Sequence, residues 1–359
     1  MIKESITKVV RARNLTEAEM EKTMKEVFDG RASSSQIGTL ATALRMKGET
    51  VDEITGAVRA LRSRTMKLRS GNNFLNLDRE DINVEGETII ETTDAGKAGT
   101  NTFNISTATI FVVAGAGLKV ARHGNRAASM YFGAADVLSN LGVNLDISFS
   151  DVERCIEKVG IGFLFSQLSQ GPMGNVAHLR EEMGIRTIFN LTAPLANPAC
   201  ATRHVLGVYE SSLTKKMAQV LLKLGETEAF VVCGEDTLDE ISICGPTRIS
   251  RLRNGEIKSF DIEPENFGMK RDDPESIKGG NAKENARIIN EVLHGKTGPR
   301  RDVVLLNASA AFVVAGLDSR LEDGVLRAAS VIDSGNARKK LDELVKFTGQ
   351  CRPFFRKNL

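Results

Sequence analysis

The stretch "TTDAGKAGTNTFNIST" (92–107) decides the fold class, because two different apolar patterns meet in it. Its first residues end the run "TIIETT", a short β-branched segment typical of a buried strand. Its last residues open "ISTATIFVVAGAG", a longer apolar segment typical of a helix. A strand that passes through a glycine-containing turn into a helix predicts one βα unit.

The same alternation continues along the chain. Further strand candidates are "LKVARHG", "GIGFLFS", "EAFVVCGE" and "DVVLLNAS", and further helix candidates are "GAADVLSNLG", "SLTKKMAQVLLKLG" and "AKENARIINEVLHG". The segment "EISICGPTRISRLRNGEIKSFDI" alternates differently and contains Asn254-Gly255, which predicts a hairpin. Repeated βα units predict an α/β domain with a mainly parallel sheet.

The first 64 residues have a different pattern. Apolar residues recur at helical spacing in "NLTEAEMEKTMKEVFDG", "SSSQIGTLATALRMKG" and "TVDEITGAVRALRSRT", each with a serine or threonine placed to cap a helix. The polar segment "RSGNNFLNLDREDINVEGE" follows and predicts a hinge or linker. We therefore expect a small helical domain over 1–66, hinged to a larger α/β domain over 85–350.

Composition excludes several classes of protein. Of 359 residues, 41% are hydrophobic and 26% charged, which indicates a globular chain, and the net charge of +2 gives no bias toward nucleic acid or membrane. The amphipathic N-terminus lacks the apolar core of a signal peptide, and no apolar run is long enough to span a bilayer. Five scattered cysteines without a CxxC pair predict reduced thiols and a cytoplasmic location.

The quoted stretch is also the first candidate site. A helix N-terminus attracts anions, Ser106 and Thr107 add hydroxyl donors, and Asn104 is placed to cap the helix. The alternative is an ordinary βα turn before a well-capped helix. Asp94 at the start of the loop is an unfavourable neighbour for a phosphate.

A basic turn follows the next strand candidate. "ARHGNRAAS" (121–129) places Arg122, His123, Asn125 and Arg126 within five positions. Such a cluster can bind oxyanions through charge-assisted hydrogen bonds, and His123 can instead donate to a substrate carbonyl or carboxylate. The alternative is a solvated basic turn.

An acidic loop follows a third strand candidate. "CGEDTLDEIS" (233–242) contains Glu235, Asp236, Asp239 and Glu240, and a few carboxylates at a strand end suit Mg²⁺ that also binds substrate phosphate. Alone, the loop is equally explained as an exposed acidic surface. Together, the three loops predict a magnesium–phosphate substrate bound at the carboxyl ends of the strands.

Several motifs then resemble one family. "NTFNIST", "HGNR", "GIRTIFNL", "PLANPA", "GEDTLDEIS" and "GGNAKENARIINEVLHGKTGPRRDVVLLNASAA" occur in the order found in anthranilate phosphoribosyltransferases, and the resemblance runs from the N-terminal helices to about residue 348. It implies transfer of phosphoribose from phosphoribosyl pyrophosphate to anthranilate in tryptophan biosynthesis. It also implies a homodimer formed through the helical domain. A helical segment near 172–190 is expected to belong to this domain together with residues 1–66.

The implied chemistry needs no covalent nucleophile and no acid–base residue. The ribose carbon becomes oxocarbenium-like as pyrophosphate departs, so Mg²⁺ and fixed donors must stabilise the leaving charge. By resemblance, the metal would be bound by Ser106, Asp239 and Glu240, and anthranilate by His123, Asn125 and Arg180, with the arginine on the substrate carboxylate. The positions that match the phosphoribosyl pyrophosphate site are Gly96, Gly99, Thr102, Asn104, Ser106, Thr107, Arg122, Gly124, Asn125 and Ser129.

The chain also departs from the family pattern. Where the family has Gly-Thr-Gly-Gly-Asp-Gly, this chain has "DAGKAG" (94–99), and Asp94 brings bulk and negative charge where a ligand needs close backbone approach. Arg122 replaces a lysine, and "QGPMGN" (170–175) lacks two histidines and a lysine.

These departures leave alternatives open. One is a paralogue that uses another aromatic acceptor, and another is a non-enzymatic descendant that binds a ligand or nucleic acid, although the near-neutral charge disfavours nucleic acid. The pyrimidine nucleoside phosphorylase group shares the architecture, and the long C-terminal motifs favour the anthranilate family instead.

Overall fold

A computed structural model describes residues 1–65, 89–94, 102–123, 134–164, 173–195, 203–235 and 238–354, with the backbone alone for 89–94, His123 and Glu181. Within these residues a seven-stranded sheet has the order β3-β2-β1-β4-β5-β6-β7. Its strands are β1 Ile89–Asp94, β2 Lys119–His123, β3 Ile161–Leu164, β4 Arg203–Gly207, β5 Glu228–Gly234, β6 Thr247–Arg253 and β7 Glu256–Ile262. The first five strands pair in parallel, and β6 and β7 are antiparallel additions at one edge.

Helices form the N-terminal domain and cover the sheet. In chain order they are α1 Ile2–Val10, α2 Glu17–Phe28, α3 Ser34–Lys47, α4 Val51–Arg62, α5 Ile105–Gly115, α6 Ala134–Asn140, α7 Phe149–Val159, α8 Gly174–Met183, α9 Ile188–Thr192, α10 Ser211–Leu224, α11 Ala282–Leu293, α12 Pro299–Ala315, α13 Leu321–Asp333 and α14 Asn336–Gly349. A largely parallel sheet with a separate helical N-terminal part confirms the predicted fold class. None of the described helices is long and apolar enough to cross a bilayer.

Several segments differ from the sequence-based expectation, and among them α7, α13 and α14 were not predicted. "DVVLLNAS" (302–309) was expected as a strand, but it lies inside the long helix α12. Its residues are buried on all sides, so its apolar residues show no helical periodicity. The central strand β4 was not expected, because its five residues begin with Arg203 and His204. The predicted linker after α4 lies outside the described residues.

The predicted hairpin is confirmed. β6 and β7 pair from Thr247–Ile262 to Arg253–Glu256, and the turn between them is Asn254-Gly255. Asn254 has φ 50° and Gly255 has φ 82°, the positive values that a tight two-residue hairpin turn requires.

The N-terminal helices share their core with a later segment. Met173, Val176, Ile188 and Phe189 pack in the cluster formed by apolar side chains of α1 to α4. Asn175 Nδ2 also donates to the carbonyl oxygen of Phe28 at 2.9 Å. The chain therefore returns to the helical part after three strands of the sheet.

Glu53 holds three parts of the helical domain together. The Thr50 amide donates to its carboxylate at 2.8 Å as part of a capping box at the start of α4, and the Leu15 amide donates at 3.0 Å. Lys47 Nζ lies 2.9 Å from the same carboxylate, and both side chains are buried. One carboxylate thus fixes the starts of α2 and α4 and the end of α3.

Charged side chains also join the helical part to the sheet. Arg62 donates to the carbonyl oxygen of Leu195 at 2.6 Å and to Glu226 at 3.0 Å, and the other oxygen of Glu226 lies 3.4 Å from His204 Nε2. Burial raises the pKa of the Glu226 carboxyl, but His204 and Arg62 outweigh it and the net pKa is lowered. The carboxylate therefore stays ionised between its two partners.

The buried Glu53 gives a prediction about stability. Glu53→Ala removes the charge partner of the buried Lys47, which keeps the Asn14 side chain and the Gly48 carbonyl oxygen as acceptors, and it leaves the Leu15 and Thr50 amides without their acceptor. We therefore expect a loss of about 3–5 kcal/mol in the free energy of unfolding, measured by urea denaturation. Glu4→Ala is the control, since Glu4 is exposed and pairs only with the N-terminus. Equal stability of the two variants would contradict the role given to Glu53.

Candidate functional site

The candidate site lies at the carboxyl edge of the parallel strands. Because β1, β2, β4 and β5 run in the same direction, their last residues meet at one edge of the sheet. These residues are Asp94, His123, Gly207 and Gly234. The three loops singled out in the sequence follow β1, β2 and β5, so their starting points share this edge. Residues 95–101, 124–133 and 236–237 of these loops lie outside the described residues.

The first loop ends in a segment fixed by a distant part of the chain. Thr102 forms an antiparallel bridge with Lys278, and the Phe103 amide donates to the carbonyl oxygen of Ile277 at 3.0 Å. Gly279 lies so close that a Cβ there would be 2.8 Å from the backbone of Phe103. The backbone that leads into α5 is thus held against residues 277–280.

Asn104 does not cap α5 with its side chain, contrary to the prediction. It is buried, and its Oδ1 accepts from Asn285 Nδ2 at 2.9 Å, while Asn285 Oδ1 accepts from the Gly280 amide at 2.8 Å. Because the side-chain oxygen Oδ1 accepts this hydrogen bond, the side-chain nitrogen Nδ2 of Asn104 is the atom that can donate to a ligand.

A buried guanidinium lies against the first turn of α5. Arg122, on β2, is 6% exposed and donates to Ser106 Oγ at 2.7 Å, with Thr107 Oγ1 at 3.5 Å. The cation, two hydroxyls and the helix N-terminus together form an anion-binding arrangement. Since Ser106 Oγ accepts from Arg122, its hydroxyl hydrogen is free to point at a ligand oxygen.

The acidic loop follows β5 at the same edge. Asp239 is 5% exposed and Glu240 is half-buried, so the two carboxylates differ in their access to solvent. Gly207, the last residue of β4, approaches Asp239 closely, and a Cβ at this position would lie 1.6 Å from the carbonyl oxygen of Asp239. Only a glycine at the end of β4 therefore allows this placement of the acidic loop.

Arg180 lies on α8, which packs with the N-terminal helices. It is half-buried in the last turn of α8, whose Val176 packs among the N-terminal helices. Three residues beyond that helix, the Arg186 guanidinium lies 4.1 Å from the centre of the Tyr209 ring, and Tyr209 closely follows β4. This cation–π contact ties the segment after α8 to the carboxyl edge of the sheet.

The structure describes only some of the remaining predicted site residues. The backbone of His123 ends β2, but its side chain is not described. The predicted ligand-binding residues outside the described part of the chain are Gly96, Gly99, Gly124, Asn125 and Ser129. Sequence reasoning missed Asn285, which orients Asn104, and Asn307, which pairs the backbone of Ile241 next to the acidic residues. The only sequence signal of each was a polar residue among the apolar residues of a helix.

Comparison with known proteins gives matches over nearly the whole chain. The helical bundle domain of the glycosyl transferase family matches residues 3–65, and the a/b domain of that family matches residues 86–338. An anthranilate phosphoribosyltransferase of Geobacter sulfurreducens is 50% identical over 98% of this chain and the full length of the relative. That of Acetivibrio thermocellus is 45% identical over 97% of each chain.

Solved structures agree with these matches. Anthranilate phosphoribosyltransferase from Thermus thermophilus superimposes with a TM-score of 0.85 at 34% identity, over 96% of this chain and 99% of the other. The enzyme from Saccharomyces cerevisiae in complex with PRPP and Mg gives a TM-score of 0.83 at 25% identity, over 97% and 98%.

The close approach at Gly207 gives a prediction. Gly207→Ala forces the acidic loop to move, so we expect faster hydrogen exchange at the Ile241 amide and a loss of about 1–3 kcal/mol in the free energy of unfolding. Gly349→Ala is the control, since a Cβ there meets no atom within 4 Å and the residue ends a helix. Unchanged exchange at Ile241 in Gly207→Ala would show that the loop tolerates the methyl group.

Proposed function

The chain belongs to the anthranilate phosphoribosyltransferase family, and from this membership and the site we propose that it transfers phosphoribose from phosphoribosyl pyrophosphate to the amine of anthranilate. The products are phosphoribosyl anthranilate and pyrophosphate, within tryptophan biosynthesis. The observation that carries the proposal is that the anion-binding start of α5 and the acidic pair, Asp239 and Glu240, lie at one edge of the sheet. A ligand that contains phosphates and binds a cation needs an anion-binding group for the phosphates and carboxylates for the cation.

The helix start would bind the phosphates of phosphoribosyl pyrophosphate. Arg122 supplies a fixed positive charge, and Ser106 and Thr107 direct hydroxyl groups from the first turn of α5. The Asn104 amide nitrogen adds a donor whose orientation Asn285 fixes. Because these donors are held in place before the ligand arrives, they stabilise negative charge that grows on the departing pyrophosphate without further reorganisation.

The acidic pair fits magnesium. Its oxygens are hard ligands, and the approach of Gly207 to the backbone of Asp239 holds this carboxylate at the strand ends. No group of three His, Cys, Asp or Glu side chains suited to a metal occurs among the residues that the structure describes. Mg²⁺ usually binds one or two carboxylates together with substrate phosphates, and the phosphates would complete its coordination here. Magnesium, when bound, neutralises charge on the leaving group. The solved yeast relative, in complex with PRPP and Mg, supports this assignment.

The acceptor would lie between the sheet edge and α8. Arg180 would pair with the anthranilate carboxylate, since it is the half-buried cation that α8 presents and the family motif matches there. His123 and Asn125 would contact the aromatic amine side, as the resemblance implies. Orientation by Arg180 is what would bring the amine to the ribose carbon.

The proposal includes the assembly. Residues 1–66, with the segment near 172–190, would form one helical domain, and 85–350 the α/β domain. A homodimer through the helical domain is supported by two exposed apolar side chains on the packed pair α1 and α3, namely Val10 at 63% and Met46 at 84% exposure. We place the enzyme in the cytoplasm, as the cysteine pattern predicts.

The metal assignment gives the main functional prediction. The double variant Asp239→Ala with Glu240→Ala should fold but bind phosphoribosyl pyrophosphate without any gain from Mg²⁺, because the protein oxygens for the metal are gone. Calorimetric titration with phosphoribosyl pyrophosphate, with and without Mg²⁺, measures this. Glu235→Ala is the control, since Glu235 is exposed at the start of the same loop. Unchanged magnesium dependence in the double variant would remove the assignment.

The altered glycine loop gives a second prediction. Restoring the family pattern with Asp94→Gly, Lys97→Gly and Ala98→Asp should tighten phosphoribosyl pyrophosphate binding, because it restores backbone freedom at two glycine positions and moves the loop's carboxylate from position 94 to the position where the family has it. The same titration compares the restored and original loops. If the restored loop binds no better, the departures are compensated elsewhere in the site.

A further inference from the structure

The acidic loop has backbone groups that no strand pairs. It runs from the end of β5 at Gly234 to the start of β6 at Thr247, and it carries Asp239 and Glu240. Buried N–H and C=O groups need partners, and Ile241, the residue after Glu240, is buried. The partner of Ile241 therefore determines where the backbone next to the acidic pair lies.

A single side chain pairs both backbone groups of Ile241. Asn307, on α12 and 6% exposed, accepts from the Ile241 amide at 3.0 Å and donates to the Ile241 carbonyl oxygen at 2.9 Å. Its second amide hydrogen goes to the carbonyl oxygen of Val303 at 2.8 Å, one turn earlier in the same helix. Asn307 thus does for Ile241 what a neighbouring strand would do, and its own orientation is fixed by α12.

Other contacts fix the loop on both sides of the pair. The Gly234 amide donates to the carbonyl oxygen of Leu238 at 2.8 Å, and the Ser242 amide donates to Thr247 Oγ1 at 3.0 Å. These contacts tie the loop to the strands on either side of it, whereas Asn307 ties it to a helix that belongs to neither strand. The Asn307 contact therefore sets the position of the acidic pair relative to α12, and the close approach of Gly207 to the Asp239 backbone sets it relative to β4.

We infer that Asn307 is a positioning residue for the magnesium-binding pair, Asp239 and Glu240. This role rests on the proposed function of the two carboxylates. Asp239 and Glu240 immediately precede Ile241 in the chain. Rotation of the Ile241 peptide would therefore move both carboxylates. Mg²⁺ requires nearly ideal octahedral geometry with short bonds, so it tolerates such a movement poorly. Asn307 acts through the backbone and touches neither metal nor substrate.

The test has to separate positioning from general support of the core. Asn307→Ala removes both hydrogen bonds to the Ile241 backbone. Ser309→Ala is the matched control, because Ser309 is also buried on α12 and, among the described residues, its hydroxyl donates to the Leu306 carbonyl oxygen of its own helix. Asn307→Asp keeps the size and the acceptor for the Ile241 amide but loses the donor to its carbonyl oxygen. It serves as the second variant if Asn307→Ala does not fold.

The measurements are calorimetric titration of phosphoribosyl pyrophosphate with Mn²⁺ or Mg²⁺, hydrogen exchange of the Ile241 amide without metal, and the KM for anthranilate. We expect both Asn307 variants to weaken metal-dependent binding by about 10–100-fold, as loss of an outer partner of a metal ligand commonly does. Exchange at Ile241 should accelerate in Asn307→Ala, and the KM for anthranilate should stay unchanged. Ser309→Ala should alter none of the three.

Two outcomes would overturn the inference. One is an Asn307 variant with faster exchange at Ile241 but unchanged metal-dependent binding, and the other is equal weakening in Ser309→Ala. In either case Glu240→Gln still tests the proposed function by itself. If Glu240→Gln also leaves the metal dependence of phosphoribosyl pyrophosphate binding unchanged, then Asp239 and Glu240 are not the magnesium ligands. The proposed function of the pair has then failed, and not only the role of Asn307.

Discussion

The loops at the carboxyl edge depend on the pairing of their buried polar groups by side chains from later helices. Asn285 pairs the Gly280 amide and the Asn104 side chain, and Asn307 pairs both backbone groups of Ile241. An unpaired group in either place would cost about 1–3 kcal/mol. The two asparagines therefore let irregular backbone lie against a packed core, where it can present Asn104 and the acidic pair to one ligand.

Local signals predicted the fold well and failed where burial hides them. Each predicted threonine or serine cap before α2 to α4 is present, and each is part of a capping box, because capping depends on neighbours in sequence. The strand predicted at 302–309 is helix, since a helix buried on every side shows no polar face. The missed strand β4 opens with Arg203 and His204, whose burial depends on partners such as Glu226.

The site was predictable to the extent that parallel strands bring their ends together. That rule placed Arg122 beside Ser106 and Thr107, and the acidic loop at the same edge. The partner of Asn104 was not predictable, because Asn285 is 181 residues away and nothing local indicates it. The role predicted for Arg180 came from the family resemblance alone, since its own segment resembles a surface helix.

The pairing of the Ile241 backbone by Asn307 also affects the order in which the site forms during synthesis. The acidic loop leaves the ribosome 66 residues before its amide partner, and α12 lies close to the C-terminal end of the chain. Domains are completed from the N-terminus during translation, and contacts distant in sequence form late. A chain that ends before α12 therefore lacks the partner of the Ile241 backbone, so its acidic loop would have no fixed position relative to that helix.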